Sequence, residues 1–204
     1  MWWHAAYRFG FHPWEDAEQC PEFIRVLGEL VTKEEAGREP PFGRALDIGT
    51  GSGIWALFLA DRGWEVTGVD LVDSPLRRAR ARAAREGVEV RFLRGDVTRL
   101  SPAEVGDGFR LVVDTGTFHD LEPAQQRAMG RGIAAVTAPD AAVVLTVWPR
   151  RRRPLIRGAR RDEITAAFPG WRVTDVLPSG YRPPRALEVF LRSDEHLYRL
   201  QREP

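Results

Sequence analysis

The stretch from Arg44 to Leu71 constrains the fold of this chain more than any other. It begins with a short apolar run, Ala45 to Ile48, which is too short for a helix and is typical of a buried strand. Three glycines within five residues follow it. Such a cluster predicts a turn with positive φ angles, where the backbone can approach a ligand closely. The sequence therefore predicts a strand that ends in a glycine turn.

The residues after this turn complete a βαβ unit. Ile54 to Ala60 is apolar on nearly every side, as expected for a helix packed against a sheet, and Gly63 is placed to end it. A second buried strand follows from Trp64 to Val69 and closes with Asp70. In such a unit the turn places backbone N–H groups and a helix N-terminus beside the ligand. Asp70 is positioned to accept hydrogen bonds from two ribose hydroxyls.

The spacing of the glycines separates two enzyme classes that use this unit. Dinucleotide-binding enzymes need G-x-G-x-x-G, whose third glycine leaves room for a pyrophosphate. Here Gly49, Gly51 and Gly53 alternate, and Ile54 fills the place of that third glycine. Asp47 would repel a pyrophosphate, whereas a sulfonium that carries an amino-acid ammonium group gains from a nearby carboxylate. The spacing therefore disfavours an NAD-dependent oxidoreductase, and a Tyr-x-x-x-Lys catalytic set is also missing.

This order of residues resembles motif I of the class I S-adenosylmethionine (SAM)-dependent methyltransferases, written [D/E]-x-G-x-G-x-G. Asp70, which lies 17 residues after Gly53, resembles the ribose-binding acid of that family. The resemblance implies SAM as the cofactor and S-adenosylhomocysteine as the product. It assigns the first part of the cofactor site to Asp47, Gly49, Thr50, Gly51, Gly53, Asp70 and Leu71.

Two later strands extend the resemblance. Val88 to Leu93 alternates as a third strand and leads to Asp96 and Val97, where the family has an acid that binds the adenine amino group. An ordinary turn aspartate is the alternative. Phe109 to Val113 is a fourth strand, and the loop after it resembles motif IV in a D-x-G-x-F-H-x-L form found in small-molecule methyltransferases. The resemblance places Asp114 and Thr115 at the cofactor, and Phe118 and His119 at the methyl acceptor.

The first 43 residues precede this core and are crowded with aromatic side chains. A helical stripe of apolar residues runs between Glu15 and about Glu35. A short part of the segment resembles the lead-in of thiol, thiopurine and halide methyltransferases, which lies over SAM; it comprises Phe11, Pro13, Trp14 and Glu15. The resemblance predicts an arm, residues 1–43, that brings Trp14 to the cofactor. If the arm closes over the site, Tyr7 is a candidate contact of the acceptor. The alternative is that these aromatics only cap the core.

The remaining pattern completes the predicted fold. Ser74 and Pro75 are expected to begin a helix that ends at Gly87. The later elements are expected as a helix from Glu122 to about Val136, a turn at Pro139-Asp140, a strand over Ala142–Trp148, a helix over Arg161–Phe168, and strands over Trp171–Leu177 and Ala186–Leu191. The sequence thus predicts one α/β domain, residues 1–204, with the arm followed by a Rossmann-like core over 44–204. Its doubly wound seven-stranded sheet should be mostly parallel, with the last strand antiparallel and helices on both faces.

The chemistry expected of this site is an in-line displacement at the methyl carbon, which needs alignment and exclusion of water. A thiol or phenol acceptor must also lose a proton, and His119 is the best candidate base because its ordinary pKa lies near 6.5. Equally, His119 could serve only to order the loop. Asp120 either orients His119 or caps the next helix, and Arg157 could hold a carboxylate of the substrate. His4 and His12 are secondary candidates.

Composition limits the other functions. Thirty basic and 29 acidic residues leave a net charge of +1, which gives no general attraction to nucleic acid or membrane. The single cysteine, Cys20, fits a reducing compartment and lies away from the fourth-strand loop, where a cysteine-dependent methyltransferase would need it. No apolar run is long enough for a membrane span, and the N-terminus does not read as a signal peptide. A cytoplasmic location is expected, for a monomer or a homodimer.

The segment from Arg150 to Arg161 contains seven arginines, the strongest local charge in the chain. A solvated loop, a lid that grips an anionic substrate, and a nucleic-acid contact are all open interpretations. No N-P-P-Y signature follows the fourth strand, which disfavours a nucleic-acid methyltransferase, and no acidic pair there suits a divalent metal. The favoured function is methyl transfer from SAM to a small molecule with a thiol, phenol, ring nitrogen or halide. A SAM-binding enzyme that does not methylate, for example a cyclase, is the main alternative.

Overall fold

The computed structural model describes residues 18–150, 157–182 and 194–203, and its centre is one seven-stranded sheet. The strands are β1 Arg44–Ile48, β2 Glu65–Asp70, β3 Val90–Arg94, β4 Phe109–Asp114, β5 Thr137–Val147, β6 Trp171–Pro178 and β7 His196–Arg202. Their spatial order is β3-β2-β1-β4-β5-β7-β6. Strands β1 to β5 pair in parallel, while β7 runs antiparallel between β5 and β6. The predicted Rossmann-like, mostly parallel sheet with an antiparallel last strand is confirmed.

Helices cover both faces of this sheet. They are α1 Pro21–Glu35, α2 Ile54–Asp61, α3 Asp73–Glu86, α4 Pro102–Val105, α5 Pro123–Val136 and α6 Arg161–Ala167, with 3₁₀ turns at Val97–Arg99 and Phe118–Asp120. The first three helices share one apolar core and the last three share another. Successive strand residues point to opposite faces, so Leu111 and Val113 enter the first core while Val112 enters the second.

The first βαβ unit follows the expected local rules. Gly63 has a φ of 103° and ends α2, because its N–H and that of Trp64 bond the carbonyls of Ala60 and Leu59. Helix α3, by contrast, begins at Asp73 with Val72 as its N-cap, two residues before the predicted Ser74 cap. The reason is that the Asp70 carboxylate accepts the Val72 N–H at 2.8 Å and draws the chain into the helix early.

Strand β5 corrects a second prediction. It begins at Thr137, and the predicted turn at Pro139-Asp140 lies inside it. Between the pairs Phe109–Thr137 and Leu111–Ala142 the register shifts, so extra residues of β5 stand out of the ladder. A bulge of this kind tolerates a proline, which has no N–H to give to a ladder.

The seventh strand lies at His196–Arg202, later than the stretch Ala186–Leu191 in which it was predicted. Residues 186–191 lie outside the described part of the chain. One inward residue of β7 is Arg199, which is buried and paired with Glu34 of α1 at 2.6 Å. The same guanidinium donates to Thr174 on β6 at 2.7 Å. The C-terminal strand is therefore tied to the first helix by a buried ion pair.

Helix α1 fixes where the N-terminal arm enters the molecule. Residues 1–17, with the predicted site residues Tyr7 and Trp14 and the candidates His4 and His12, lie outside the described chain. The Cys20 thiol, at the start of α1, contacts the Gly180 carbonyl just beyond the end of β6 at 3.4 Å. Since β6 and β5 are both antiparallel to β7, this is the edge at which the parallel strands end. None of the helices described here has the length and apolar character needed to span a membrane.

Candidate cofactor and methyl-acceptor site

The turn after β1 is tightly packed, as the glycines predict. Gly49, Gly51 and Gly53 have φ angles of 65°, 54° and 82°. A Cβ atom on Gly49 would overlap the Thr117 hydroxyl, which belongs to the loop after β4. A Cβ on Gly53 would stand 2.9 Å from the Cβ of Ala79 on α3. The turn is therefore clamped between α3 and the loop that was predicted to face the methyl acceptor.

Asp70 is held at the end of β2 by two backbone groups. Its Oδ2 accepts the Gly51 N–H at 2.9 Å and its Oδ1 accepts the Val72 N–H at 2.8 Å. A carboxylate oxygen can accept more than one hydrogen bond. Leu71 follows directly and is partly exposed. This geometry suits the predicted contact with two ribose hydroxyls, and it adds a role that the sequence did not reveal, which is bracing the glycine turn.

Asp47 is fully buried beneath the same turn. Its Oδ2 accepts the Thr50 hydroxyl at 2.6 Å, while its Oδ1 has no hydrogen-bond partner in the described structure. Burial is the main cause that raises the pKa of Asp47 to about 7, and the Asp114 and Asp70 carboxylates add to it. The Thr50 hydroxyl and the Ala56 backbone N–H act in the opposite direction. A buried carboxylate oxygen of this kind fits a cationic ligand, since a positive group nearby would stabilise its ionised form.

Asp114 is also fully buried, at the end of β4. Its two oxygens accept the backbone N–H groups of Thr117 and Phe118 at 2.7 and 2.8 Å. Burial raises its pKa to about 6, although these two bonds work in the opposite direction. Asp114 thus shapes the loop that clamps Gly49, while Thr115 lies partly exposed in that loop.

Asp96 lies at the end of β3, next in the row of strand-end acids. It is exposed, and its Oδ1 accepts the Thr98 N–H at 2.9 Å and the Thr98 hydroxyl at 2.7 Å. Val97 is buried and begins the following 3₁₀ turn. The Gly95 N–H bonds the Asp70 carbonyl at 3.0 Å. The structure therefore brings the predicted ribose and adenine acids onto adjacent strand ends.

His119 is 4% exposed and lies between β4 and β5. The β4–β5 ladder ends at the pair Asp114–Leu145, and His119 Nδ1 lies 3.2 Å from the next carbonyl, that of Thr146. A carbonyl can only accept, so Nδ1 carries the proton and the neutral ring has its lone pair on Nε2. That nitrogen is 3.9 Å from Asp120 Oδ1. The contact with Thr146 both orders the loop and fixes which nitrogen can act as a base.

Asp120 does not cap the following helix, so the interpretation of Asp120 as a helix cap was wrong. Helix α5 is capped by Glu122 and Gln125, which form a capping box. Asp120 Oδ1 instead accepts the backbone N–H of Arg157 at 3.1 Å. Burial raises the pKa of Asp120 to about 6, which the Arg157 N–H and the Arg157 charge oppose.

Phe118 and Arg157, which were both predicted to bind the substrate, lie in different surroundings. Phe118 is fully buried in the second core with its ring centre 5.8 Å from that of Phe168, so its assignment to the acceptor surface was wrong. Both neighbours are buried, but Phe118 packs into the second apolar core whereas His119 contacts the Thr146 carbonyl. Arg157, in contrast, lies at the loop, where its backbone binds Asp120 and its guanidinium pairs with Glu122.

Three of the four arginines of the basic segment that the structure describes are paired with acids. Arg150 pairs with Glu163 at 2.7 Å, and Arg160 contacts Asp162 at 3.2 Å. With Arg157 on Glu122, these arginines face acids of α5 and α6. Residues 151–156, which include three of the seven arginines, lie outside the described chain.

Two residues near this loop escaped the sequence analysis. The Thr146 carbonyl accepts a hydrogen bond from His119 Nδ1. The buried Gln126 side chain on α5 donates a hydrogen bond to the Phe118 carbonyl at 3.1 Å. A polar residue at the end of an apolar strand, and another on the buried face of a helix, were the available signals. Within residues 18–150, 157–182 and 194–203, no three His, Cys, Asp or Glu side chains gather closely enough to bind a metal ion.

Comparison with known proteins relates this geometry to a family. Residues 45–140 match the model of a methyltransferase domain family. The 2-heptyl-1-hydroxyquinolin-4(1H)-one methyltransferase of Mycobacteroides abscessus is 26% identical over 176 residues, which cover 82% of this chain and 71% of that protein. The ribosomal protein L11 methyltransferase of Thermus thermophilus is 31% identical over 159 residues, which cover 73% of this chain and 59% of that protein.

A solved structure resembles the fold along almost the whole chain. It is that of the Burkholderia thailandensis 1,6-didemethyltoxoflavin-N1-methyltransferase with bound 1,6-didemethyltoxoflavin and S-adenosylhomocysteine. The TM-score is 0.71 at 22% identity, and the match covers 98% of this chain and 85% of the other. The matched family region runs from β1 into the start of β5, and so contains the glycine turn and the strand-end acids Asp70, Asp96 and Asp114.

Proposed function

We propose that the chain is a class I SAM-dependent methyltransferase, which transfers the methyl group of SAM to a small-molecule acceptor by in-line displacement. The observation that carries this proposal is the contact between the cofactor turn and the acceptor loop. Thr117 fills the space over Gly49, and His119 follows two residues later. A methyl group held over the turn would thus lie beside the candidate base.

The cofactor is assigned to the strand ends by charge and hydrogen-bonding capacity. When bound, SAM supplies a methyl carbon that a positively charged sulfur activates. Asp47 Oδ1 would receive the ammonium group, Asp70 the ribose hydroxyls and Asp96 the adenine amino group. The N–H groups of Leu71 and Val97 would complete the site, while the N–H groups of Thr50, Gly51 and Gly53 are already bonded within the turn and its strands. The buried carboxylate of Asp47 supports this arrangement because an unpaired buried acceptor is costly until a donor reaches it.

His119 would take the proton of an acidic acceptor at Nε2. The bond from Nδ1 to Thr146 holds the ring in the tautomer that this role needs. Asp120, at 3.9 Å from Nε2, would stabilise the imidazolium that forms. Holding acceptor and base together inside a buried loop also excludes water, which favours the displacement.

Both the relatives and the charge distribution support a small molecule as the methyl acceptor. The relative that covers more of both chains is named for a hydroxyquinolinone, whereas the second is named for a ribosomal protein. The pairing of Arg150, Arg157 and Arg160 with acids leaves less free positive charge for RNA. We therefore favour a heterocyclic acceptor, no nucleic-acid partner, a monomer or homodimer, and a cytoplasmic location.

The N-terminal arm is proposed to close over this site. The support for this proposal is that Cys20 lies beside Gly180, at the edge where the parallel strands end. Trp14 would then cover SAM and Tyr7 the acceptor, as the resemblance implies.

A panel of acceptors tests the proposal. Thiols, phenols, N-heterocycles and iodide are each incubated with SAM, and both methylated product and S-adenosylhomocysteine are measured. Equal yields of the two with at least one acceptor are expected. SAM binding without methyl transfer to any class, or a new product without S-adenosylhomocysteine, would instead favour the non-methylating alternative.

A further inference from the structure

The loop after β4 collects most of the buried side-chain atoms that lack a hydrogen-bond partner in the described residues. Four of the six such atoms lie in or against it: Asp120 Oδ2, Gln126 Oε1, Thr146 Oγ1 and Arg157 Nε. Buried polar atoms of folded proteins are nearly always paired, so an unpaired one calls for an explanation. A cluster of four next to the proposed base indicates that something polar binds there.

Asp120 and Arg157 are fixed in place by their other contacts. Asp120 Oδ1 accepts the Arg157 backbone N–H at 3.1 Å, and the Arg157 Nη1 pairs with Glu122. Because the far sides of both groups are engaged, their unpaired atoms have defined positions.

The two unpaired atoms have opposite hydrogen-bonding character. Asp120 Oδ2 can only accept from a ligand when ionised, and Arg157 Nε can only donate. We propose that Asp120 and Arg157 recognise one edge of the methyl acceptor, on which a hydrogen-bond donor stands beside a hydrogen-bond acceptor, as the N–H and C=O of a lactam do. This inference rests on the proposed function and narrows its acceptor class.

The position of the pair agrees with this role. Asp120 Oδ1 is 3.9 Å from His119 Nε2, so an edge bound by Asp120 lies next to the proposed base. Halides and simple thiols have no such edge and should be poor acceptors. Because both unpaired atoms are buried, the loop has to open before the ligand can reach them.

Three matched heterocycles test the recognition without turnover. Quinolin-2(1H)-one has the complete edge, 1-methylquinolin-2(1H)-one lacks the donor, and quinoline lacks both the donor and the carbonyl. Each is titrated by calorimetry into the full chain saturated with S-adenosylhomocysteine. The lactam should bind at least about tenfold more tightly than either comparator, which corresponds to roughly 1.4 kcal/mol. Equal affinities, as expected if only enclosed water satisfies the two side chains, would overturn the proposal.

Asp120→Asn gives a sharper outcome because it reverses the polarity of one atom. The Arg157 N–H still needs an acceptor, so the amide oxygen takes the Oδ1 position and the NH₂ group turns to the Oδ2 position. The lactam N–H then meets a donor, and the preference over the N-methyl compound should disappear while S-adenosylhomocysteine still binds. Asp162→Asn makes the same charge change at an exposed residue paired with Arg160, and should keep the preference. If Asp120→Asn still binds the lactam more tightly than the N-methyl compound, the proposal is contradicted.

Arg157→Lys provides an independent variant if Asp120→Asn fails to fold. Lysine keeps a positive charge opposite Glu122 but has no Nε–H, so affinity for both carbonyl compounds should fall relative to quinoline. An unchanged ratio counts against the proposal. These binding measurements can fail independently of the proposed methyl transfer. If the protein methylates an acceptor but binds the three heterocycles equally, only the proposed role of Asp120 and Arg157 is refuted. If it prefers the lactam but transfers no methyl group, only the proposed function is refuted.

Discussion

Asp47 makes the pH dependence of cofactor binding a direct test of the site. Its carboxyl group has a pKa of about 7 because it is buried, with Asp114 and Asp70 nearby. A cationic ligand favours the ionised form, so binding below pH 7 must expel a proton. SAM and S-adenosylhomocysteine should therefore bind more weakly as the pH falls through 7.

The size of the effect follows from the pKa. If only ionised Asp47 binds the ligand, the affinity at a pH of about 5.5 should be roughly 30-fold lower than at high pH, or about 2 kcal/mol. The stability of the free protein changes in the opposite direction. The folded state binds more protons than the unfolded state between an ordinary pKa near 4 and about 7, so stability falls as the pH rises across this window. The full difference is at most about 4 kcal/mol.

Calorimetry and thermal unfolding of Asp47→Asn measure both effects. Across a pH range of roughly 5.5 to 8.5, wild-type titrations in two buffers of different ionisation enthalpy should reveal proton release on binding. The variant should bind S-adenosylhomocysteine weakly at every pH, lose most of the pH dependence above pH 6, and unfold at a higher temperature at high pH. Asp114 and Asp120 have pKa values of about 6 and leave a residual dependence below that pH.

Asp140→Asn is the matched control, since Asp140 is exposed at the opposite edge and pairs with Arg110. It should leave the pH profile of binding unchanged. Two results would refute the reasoning: a wild-type affinity that does not vary with pH, or an Asp47→Asn variant that keeps the wild-type profile.

Three further variants test the rest of the site. Asp70→Ala should weaken SAM binding by roughly 1–3 kcal/mol in a calorimetric titration, and an unchanged affinity would exclude the ribose contact. His119→Ala should lower kcat by about 10²–10⁴-fold and remove the limb of the pH–rate profile near neutrality, while SAM affinity is preserved. If the variant loses both SAM binding and turnover, His119 instead orders the pocket. Deleting residues 1–16 should leave a folded core, monitored by circular dichroism, with much lower SAM affinity and turnover, and full activity would exclude the lid.

The cofactor half of the site was readable from the sequence because its signals are local. A glycine is identifiable wherever it must take positive φ, and Gly49 and Gly53 could not carry a side chain in this packing. An acid at the end of an apolar strand, such as Asp70, is equally local. Parallel strands then bring such residues to one edge of the sheet.

The acceptor half depends on residues that are distant in sequence. Phe118 and His119 are neighbours, and only Phe168 and Thr146 decide which of them enters the core. Asp120 looked like a helix cap because its partner, the Arg157 backbone, lies 37 residues away.

A contact between residues that are distant in sequence also explains why the seventh strand was predicted at the wrong position. Arg199 takes an inward position in β7 that a hydrophobic pattern reserves for an apolar residue, and the distant Glu34 makes this possible. Arg199 interrupts the apolar pattern of HLYRLQR, so the more apolar stretch Ala186–Leu191 is the one whose pattern favours a strand.

The place of β7 between β5 and β6 has a consequence for synthesis on the ribosome. Domains fold as units while the chain emerges from its N-terminus, yet β6 pairs only with β7, which is translated after it. Until His196–Arg202 emerges, the long strand β5 presents an unpaired outer edge, and β6 has no neighbour in the sheet. An exposed apolar edge can pair with another nascent chain. Completion of the sheet therefore depends on its last-made strand, and chaperone binding should concentrate in the interval before that strand appears.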